Sequence, residues 1–256
     1  MQRAKGTWVI TGAGSGFGRV FAQRLAERGE TLALWDRDAK GLETTRALLG
    51  AARVHVQAVD VTDAAAVWHA AEATRDAIGP VAHVVNSAGI LRVGPVKELG
   101  AEEHARMMQV NYLGSVHVAQ ALLPQLERAS GRATLLFVAS VAGLRGFPEL
   151  AGYCASKFAV VGFAQALRDE LHGTNVDVRV LCPPPGDTPM VRELAKVPPI
   201  YKLSRLYTAD EVVDAALRGL DRRSFAILVD ANSKLLHKVG ALAPGVVDRI
   251  VRFASR

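Results

Sequence analysis

The sequence predicts a single α/β domain in which a doubly wound parallel sheet of about seven strands carries helices on both faces. Two observations predict this class. Short β-branched apolar runs alternate along the chain with longer amphipathic stretches, as they do when a crossover helix follows each parallel strand. The first apolar run also leads through a glycine-rich turn into a helical stretch, which is how a dinucleotide-binding βαβ unit begins. The predicted fold is therefore Rossmann-like, with residues 1–230 in one domain.

Each predicted element follows from its local pattern. The predicted strands are Thr7–Thr11, Thr31–Trp35, Val54–Val59, His83–Asn86, Ala133–Ala139, Asp177–Cys182 and Phe225–Val229. The predicted helices are Gly16–Gly29, Lys40–Leu49, Ala64–Ile78, Ala101–Gln109, Tyr112–Arg128, Ala151–His172 and Ala209–Asp221. Ligands of such sheets bind beyond the carboxyl ends of the strands. The polar, glycine and proline residues expected at that edge are Gly12, Asp36, Asn86, Ser140 and Pro183.

The composition is that of a globular chain. Of its 256 residues, 50% are hydrophobic and 22% are charged, which is ample for a continuous core. No apolar run is long enough to predict a membrane span, and the first strand follows Met1–Lys5 without room for a signal peptide. Cys154 and Cys182 form no CxxC pair and the histidines are scattered, so we expect a cytoplasmic protein without a metal.

The turn after the first strand is the candidate nucleotide-binding loop. It contains Gly12, Gly16 and Gly18, spaced G-x-x-x-G-x-G rather than the commoner G-x-G-x-x-G. Glycines let a backbone approach a pyrophosphate closely, and the next helix offers free N–H groups and a favourable dipole. An ordinary glycine turn is the alternative, but the flanking strand and helix favour a dinucleotide site.

A tyrosine and a lysine four residues apart form the candidate catalytic pair. Tyr153 and Lys157 share one face of a predicted helix, and Ser140 lies thirteen residues before the tyrosine at a strand end. Free tyrosine titrates near pH ~10, so we expect the lysine ammonium to lower the pKa of Tyr153 toward neutrality. With Ser140 holding a carbonyl oxygen against the phenol, the set suits reversible protonation of a ketone or alcohol oxygen.

Four motifs in the right order make the chain resemble the short-chain dehydrogenase/reductase family from Thr7 to about Val229. The glycine turn matches the family's TGxxxGxG loop, with Phe17 where isoleucine is usual. The further matches are Asp60-Val61 with the adenine-contacting element, Asn86-Ser87-Ala88-Gly89 with NNAG, Asn111 with the active-site asparagine, and Ser140, Tyr153 and Lys157 with the catalytic core. The resemblance implies an NAD(P)(H)-dependent alcohol or ketone oxidoreductase that forms a homodimer or homotetramer.

The resemblance also implies the role of each residue. Tyr153 would exchange the proton on the substrate oxygen while nicotinamide exchanges a hydride with the substrate carbon, and Ser140 would polarise the carbonyl. Lys157 would bind the nicotinamide ribose. Asn111 would hold a water that connects Lys157 to solvent, or alternatively would kink or cap a helix. The implied cofactor-binding residues are Gly12, Ser15, Gly16, Phe17, Gly18, Asp36, Arg37, Asp60, Val61, Asn86, Ala88, Gly89, Tyr153, Lys157, Pro183, Gly186 and Thr188.

Charge at the second strand end predicts NAD rather than NADP. Asp36 follows Gly18 by eighteen residues, and its carboxylate can accept both ribose hydroxyls while repelling a 2′-phosphate. Ser15 stands where NADP-dependent relatives often carry a basic residue. Arg37 keeps NADP as the alternative, because an arginine there could pair with a phosphate.

One segment departs from the family pattern. Where P-G-x-V-x-T is usual, the chain reads Pro183-Pro184-Pro185-Gly186-Asp187-Thr188. Proline fixes φ and removes an N–H group, so we expect the loop beneath the nicotinamide to differ locally. A similar proline-rich version occurs in the 3-ketodihydrosphingosine reductase branch, whose use of NADPH conflicts with Asp36.

The segments expected around the substrate are apolar and favour a small hydrophobic alcohol or ketone. Leu91, Val141, Phe147 and Met190 are the predicted substrate residues, with a lid at about 189–207. The same segments also offer Val93, Leu144, Leu150, Leu194, Ile200 and Tyr201. Arg92 and Arg145 could bind an acid group, although solvated surface is the favoured role.

The end of the chain is basic. From Arg218 to Arg256, eight Lys and Arg residues against three Asp residues give a net charge of +5 out of the chain's +6. Apolar residues recur at helical spacing within 234–242 and 246–254, which predicts a basic amphipathic helical extension over 231–256. Packing or a subunit contact is the favoured role and peripheral membrane contact through 234–256 the alternative. Nucleic acid is not an expected partner, because no recognition motif is present.

These patterns leave two function classes, an oxidoreductase with two possible substrate and cofactor combinations and a non-catalytic binding protein. The favoured function is an NAD(H)-linked oxidoreductase acting on a hydrophobic secondary alcohol or ketone. One alternative is an NADPH-dependent ketolipid reductase. The other is a non-catalytic nucleotide-sensing protein, which the altered loop at Pro184 leaves open but which the intact Ser140, Tyr153 and Lys157 argue against.

Overall fold

The computed structural model describes residues 3–198, 201, 205–222, 224–235 and 245. Within them, seven parallel strands form the main sheet in the order β3-β2-β1-β4-β5-β6-β9. These strands are β1 (Thr7–Thr11), β2 (Leu32–Asp36), β3 (Val54–Ala58), β4 (Val81–Asn86), β5 (Ala133–Val138), β6 (Val176–Cys182) and β9 (Ala226–Leu228). A short parallel ladder joins β7 (Gly186–Asp187) to β8 (Tyr207–Thr208).

Helices cover both faces of the sheet. They are α1 (Gly16–Ala26), α2 (Ala39–Ala47), α3 (Ala64–Ile78), α4 (Ala101–Met107), α5 (Gly114–Glu127), α6 (Ala151–Glu170), α7 (Pro189–Arg192) and α8 (Ala209–Gly219). Buried side chains of α3, α5 and α6 pack on one face. Those of α1, α2 and α8 pack on the other. Because both faces are covered, central strands such as β1 are buried along their whole length.

The predicted fold class is confirmed, with each predicted main-sheet strand present and its ends shifted by no more than two residues. Several local features were not predicted, among them the short helix α7 and the 3-10 turn Val141–Gly143. A π-helical segment, Met108–Leu113, joins α4 to α5 where the sequence indicated a break between two helices. The β7–β8 ladder was missed because strands of two residues carry no readable alternation.

The strand order reverses between β1 and β4, where the chain crosses from one half of the sheet to the other. Clefts open at such switch points beyond the carboxyl ends of the strands. The glycine-rich turn follows β1 and the Asn86 turn follows β4, so both flank this cleft. Residues 231–235 are helical. Apart from residue 245, the rest of the predicted basic extension lies outside the described residues.

Candidate active site

The glycine-rich turn leaves room for a ligand against its backbone. Gly12 has φ +66°, and a Cβ there would lie 2.9 Å from the backbone nitrogen of Ala88. A Cβ on Gly18 would lie 2.1 Å from the carbonyl oxygen of Gly12, so helix α1 can pack this closely only through glycine. Ser15 precedes α1 without a side-chain capping bond within the described chain. The first-turn N–H groups of α1 are therefore available to an anion such as a pyrophosphate.

Thr11 ties the two flanking turns together. Its buried hydroxyl donates to Asn86 Oδ1 at 2.8 Å. The same oxygen accepts the backbone N–H groups of Ser87 and Ala88, each at 3.0 Å. From the sequence, Thr11 was predicted only to belong to the glycine-rich loop motif. Its side chain in fact fixes the predicted cofactor-lining turn at the end of β4.

The adenosine end of the cleft is built around two carboxylates. Asp36 accepts the backbone N–H groups of Gly14 at 2.8 Å and Asp38 at 2.9 Å, which holds the carboxylate at the end of β2. Asp60 accepts both the N–H and the hydroxyl of Thr62. Those hydrogen bonds lower the pKa of Asp60, and the charge of the nearby Arg37 adds to the effect. The Asp60 carboxylate is thus held ionised, and Asp36 is held in position by backbone N–H groups at the predicted ribose site.

The predicted catalytic residues come together at the carboxyl ends of β5 and β6. Tyr153 and Lys157 lie one turn apart on α6, with the lysine Nζ 5.8 Å from the centre of the tyrosine ring. Lys157 donates to the carbonyl of Val138, the last residue of β5, at 2.9 Å. The side chains of Ser140 and Tyr153 line the same cleft. Ser140 also caps the short turn that follows it, because its oxygen accepts the N–H of Ala142 at 3.1 Å.

Burial dominates the ionisation of the catalytic pair. Tyr153 is 8% exposed, and burial raises the pKa of its phenol well above the ordinary value. The sequence predicted a lowered pKa for Tyr153. For the protein without a bound cofactor that expectation is wrong, because burial raises the pKa of the phenol. Burial also lowers the pKa of Lys157 to about 8. Near neutral pH the site thus holds a protonated phenol beside an ammonium.

Asn111 lies inside the π-helical segment, and its side chain is fully engaged. The amide oxygen accepts the N–H of Ile90 at 2.7 Å, while the amide nitrogen donates to the Ile90 carbonyl and the Ser156 hydroxyl. Its backbone carbonyl accepts the Ser115 hydroxyl. The helix irregularity named as the alternative role is present at this residue. The predicted water relay stays a prediction, and no side-chain polar atom of Asn111 is left without a protein partner.

Two departures from the family pattern are in contact. A Cβ on Gly186 would lie 2.5 Å from the ring of Phe17, so the phenylalanine ring fills the space that a side chain at 186 would need. Thr188, predicted to reach the cofactor, is buried and packs close to Gly16. The proline-rich segment thus remains at the cleft. The large side chain of Phe17 in the glycine-rich loop is accommodated by the absence of a side chain at Gly186 after β6.

A single cleft of about 840 Å³ runs from the adenosine end to the catalytic pair. Of the predicted cofactor residues, those that line it are Gly12, Ser15, Gly16, Phe17, Asp36, Arg37, Asp60, Val61, Ala88, Gly89, Tyr153, Lys157, Pro183, Gly186 and Thr188. Gly18 and Asn86 lie behind this lining, where both are buried. The cradle of glycines, the uncapped helix N-terminus and the ribose-facing carboxylate fit a dinucleotide.

Two of the four predicted substrate residues line the cleft and two do not. Leu91 and Met190 line the cleft as expected. Val141 and Phe147 are not among its described lining residues, although both pack in the apolar cluster that contains Leu91 and Tyr153. Ile200 lies outside the described residues. Tyr201, which the sequence offered only as an apolar segment residue, also lines the cleft.

Within the described ranges the chain has neither a metal-binding cluster nor a membrane-spanning helix. No group of three or more His, Cys, Asp or Glu side chains there could hold a metal ion. None of the described helices is long and apolar enough to cross a membrane.

Known proteins share this arrangement. The family described as short chain dehydrogenase matches residues 7–198. A 17-beta-hydroxysteroid dehydrogenase 13 from Rattus norvegicus is 36% identical over 221 residues, which cover 84% of this chain and 71% of the relative.

Solved structures of short-chain dehydrogenases superpose on this chain. A short-chain dehydrogenase/reductase from Burkholderia phymatum in complex with NAD superposes with a TM-score of 0.83 at 31% identity, covering 94% of this chain and 96% of that one. A short-chain dehydrogenase from Burkholderia cenocepacia in complex with NADP gives 0.84 at 26% identity, covering 98% and 99%. With the glycine cradle and the Ser140, Tyr153 and Lys157 set already in one cleft, these matches identify the chain as a member of the short-chain dehydrogenase/reductase family, whose enzymes use NAD(P)(H).

Proposed function

We propose that this protein interconverts a hydrophobic secondary alcohol and its ketone, with NAD(H) as the preferred cofactor and Tyr153 as general acid and base. One observation carries the proposal. Ser140, Tyr153 and the glycine-rich turn line one cleft. A substrate oxygen bound by both hydroxyls would sit where proton transfer and a bound dinucleotide meet.

The residues divide the chemistry between them. Tyr153 is protonated near neutral pH, because burial raises its pKa, so it is set to donate a proton as the carbonyl oxygen gains charge. Ser140 donates a second hydrogen bond to the same oxygen, an attraction that strengthens as negative charge develops. Nicotinamide, when bound, supplies or accepts the hydride. Lys157 keeps a positive charge beside the phenol, which favours the phenolate that remains after transfer.

The preference for NAD rests on Asp36. Both carboxylate oxygens are held by backbone N–H groups, so the negative charge cannot easily turn away from an incoming 2′-phosphate. Arg37, the residue that could pair with such a phosphate, instead interacts with Asp60 across the adenosine end. The electrostatic balance at the ribose therefore favours two free hydroxyls over a phosphate.

The apolar wall of the cleft supports a hydrophobic substrate. Leu91 and Met190 face the same space as Tyr153, and Ile90 and Leu194 extend that surface. The rat relative carries a hydroxysteroid dehydrogenase name, which is consistent with a substrate of this polarity. A ketolipid reductase using NADPH is a second candidate, favoured by the NADP complex of one structural neighbour.

The proposed setting is a cytoplasmic homodimer or homotetramer. Cys154 and Cys182 are buried free thiols, as a reducing compartment favours. Phe158 on α6 is 45% exposed, and Leu113, which directly precedes α5, is 42% exposed, so both offer apolar surface to a second copy. The peripheral membrane contact proposed for 234–256 falls almost entirely outside the described residues.

The test replaces Tyr153 with phenylalanine. Ketone reduction should fall by about 100-fold or more, since the proton donor is lost while ring packing is kept. NADH binding, followed by fluorescence titration, should change little. Tyr207→Phe is the matched control, because that tyrosine packs under Arg205 outside the cleft lining. Turnover that survives Tyr153→Phe at the wild-type rate would refute the proposed mechanism.

A further inference from the structure

A second tyrosine lies at the substrate end of the cleft. Tyr201 lines the cleft together with Tyr153 and belongs to the segment that follows α7. Its backbone N–H donates to the carbonyl of Pro198 at 2.9 Å. The sequence singled out this segment as a lid but gave Tyr201 no polar role.

An ion pair anchors the segment next to the catalytic helix. Lys196 Nζ lies 2.5 Å from Glu149 Oε1. Glu149 lies two residues before Ala151, where α6 begins, and has φ +63°, a strained conformation for a residue with a side chain. Its backbone carbonyl also accepts the N–H of Gly94 at 2.9 Å. The lid is thus tied to the loop that leads into the helix of Tyr153.

The hydroxyl of Tyr201 is a polar group in apolar surroundings. Its ring packs against the cluster that contains Leu91, Leu150 and Tyr153. Tyr201 and Tyr153 pack in the same apolar cluster and line the same cleft. Burial raises the pKa of Tyr201 to about 12. Tyr201 is half-buried, and in the part of the chain that the structure describes its hydroxyl makes no recorded hydrogen bond to a protein group. A hydroxyl in such surroundings gains free energy when a ligand supplies its partner.

The charge around this hydroxyl indicates which kind of partner fits. Arg92 also lines the cleft, but its Nε is paired with Glu103 at 2.9 Å. Lys196 is likewise neutralised by Glu149. Both Arg92 and Lys196 are therefore compensated by carboxylates, which disfavours their pairing with a carboxylate or phosphate on the substrate. An uncharged oxygen matches the site better.

We propose that Tyr201 is a substrate-specificity residue whose hydroxyl binds a second, uncharged oxygen of the substrate, while Ser140 and Tyr153 bind the reacting one. The inference rests on the proposed oxidoreductase function and narrows its substrate class. The substrates are apolar hydroxyketones or diketones, with the corresponding diols or hydroxyketones as reduced products. A polar group that must be hydrogen-bonded discriminates more sharply against analogues lacking it than an apolar wall does.

The experiment compares matched ketones in matched variants. A medium-chain methyl ketone and its α-hydroxy and β-hydroxy derivatives are reduced with NADH by the wild type, Tyr201→Phe and Tyr207→Phe. In the wild type, kcat/KM for one hydroxylated ketone should exceed that of the parent by about 10-fold. Tyr201→Phe should bring that ratio close to one, because it should slow reduction of the hydroxylated ketone about 10-fold more than reduction of the parent ketone. Tyr207→Phe should keep the wild-type ratio.

The outcomes separate this inference from the proposed function. A wild type that does not prefer either hydroxylated ketone would overturn the role of Tyr201. An equal loss on all three ketones in Tyr201→Phe would also overturn it, because the residue would then serve packing or proton transfer. In both cases, parent-ketone reduction that is abolished by Tyr153→Phe would leave the oxidoreductase proposal standing.

Discussion

Thr45→Val tests how the glycine-rich turn is held in its binding shape. Thr45 lies on α2, where its buried hydroxyl donates to the carbonyl of Ala13 at 2.8 Å and accepts Arg19 Nε at 3.0 Å. Arg19 in turn donates to the carbonyl of Gly14. The N–H of Gly14 binds Asp36, so this network links two helices, the turn and the ribose-facing carboxylate.

Valine keeps the shape of threonine but leaves a buried carbonyl and a partly buried guanidinium N–H without their partner. Each orphaned group costs about 1–3 kcal/mol, so the free energy of unfolding should fall by about 2 kcal/mol after relaxation. A turn that reaches its binding shape less often also binds more weakly, and we expect the NADH dissociation constant to rise about 10-fold. At saturating NADH, kcat should be unchanged, because Tyr153 and Lys157 are untouched.

The assays are urea denaturation and fluorescence titration with NADH and with ADP-ribose. Both ligands should weaken equally, since the network touches only the adenosine half of the cleft. Thr44→Val in the same helix is the control, because that exposed hydroxyl donates to the Lys40 carbonyl of its own helix. Wild-type affinity in Thr45→Val, or an equal loss in Thr44→Val, would refute the reasoning.

Two further predictions concern pH and cofactor choice. Burial lowers the pKa of His83 to about 4, against ~6.5 for an unfolded histidine. Between pH ~4 and pH ~6.5 the histidine therefore binds a proton in the unfolded chain but not in the folded protein. The contribution of His83 to the free energy of unfolding is complete above pH ~6.5 and is lost as the pH falls through this range. Between neutral pH and pH ~5 the free energy of unfolding measured by urea denaturation should fall by about 2 kcal/mol because of His83. In His83→Phe, which keeps the stacking on Trp8, this decrease should be absent. For the cofactor, NADH should bind about 100-fold more tightly than NADPH, and Asp36→Asn should remove most of the difference in a titration. An unaltered pH response in His83→Phe, or an unaltered ratio in Asp36→Asn, would contradict these predictions.

The fold was readable from the sequence because its information is local. Apolar runs such as Thr7–Thr11 are buried from end to end, so each strand shows as a continuous block. Amphipathic helices such as Ala64–Ile78 show their period equally well, and that helix has the predicted bounds. The π-helical segment was not readable, because the contacts that accompany it join Asn111 to Ile90 and Ser156, far apart in the chain.

The site was readable where a motif fixes both residue type and spacing. Ser140, Tyr153 and Lys157 meet in one cleft as their order implied. Quantities that depend on surroundings were not readable. The ionisation of Tyr153 is set by burial, which no spacing reveals. The roles of Thr45 and Tyr201 depend on helices and loops that meet only in the folded chain.

The central claim is that Tyr153 protonates an oxygen while hydride passes to the adjoining carbon. The most direct measurement uses NADH that carries deuterium in the transferable position, a panel of hydrophobic ketones and mass spectrometry of the alcohols formed. The wild type should place one deuterium on the carbinol carbon of its preferred substrate, and Tyr153→Phe should place almost none in the same time. Equal incorporation by the two proteins, or none by the wild type, would contradict the account.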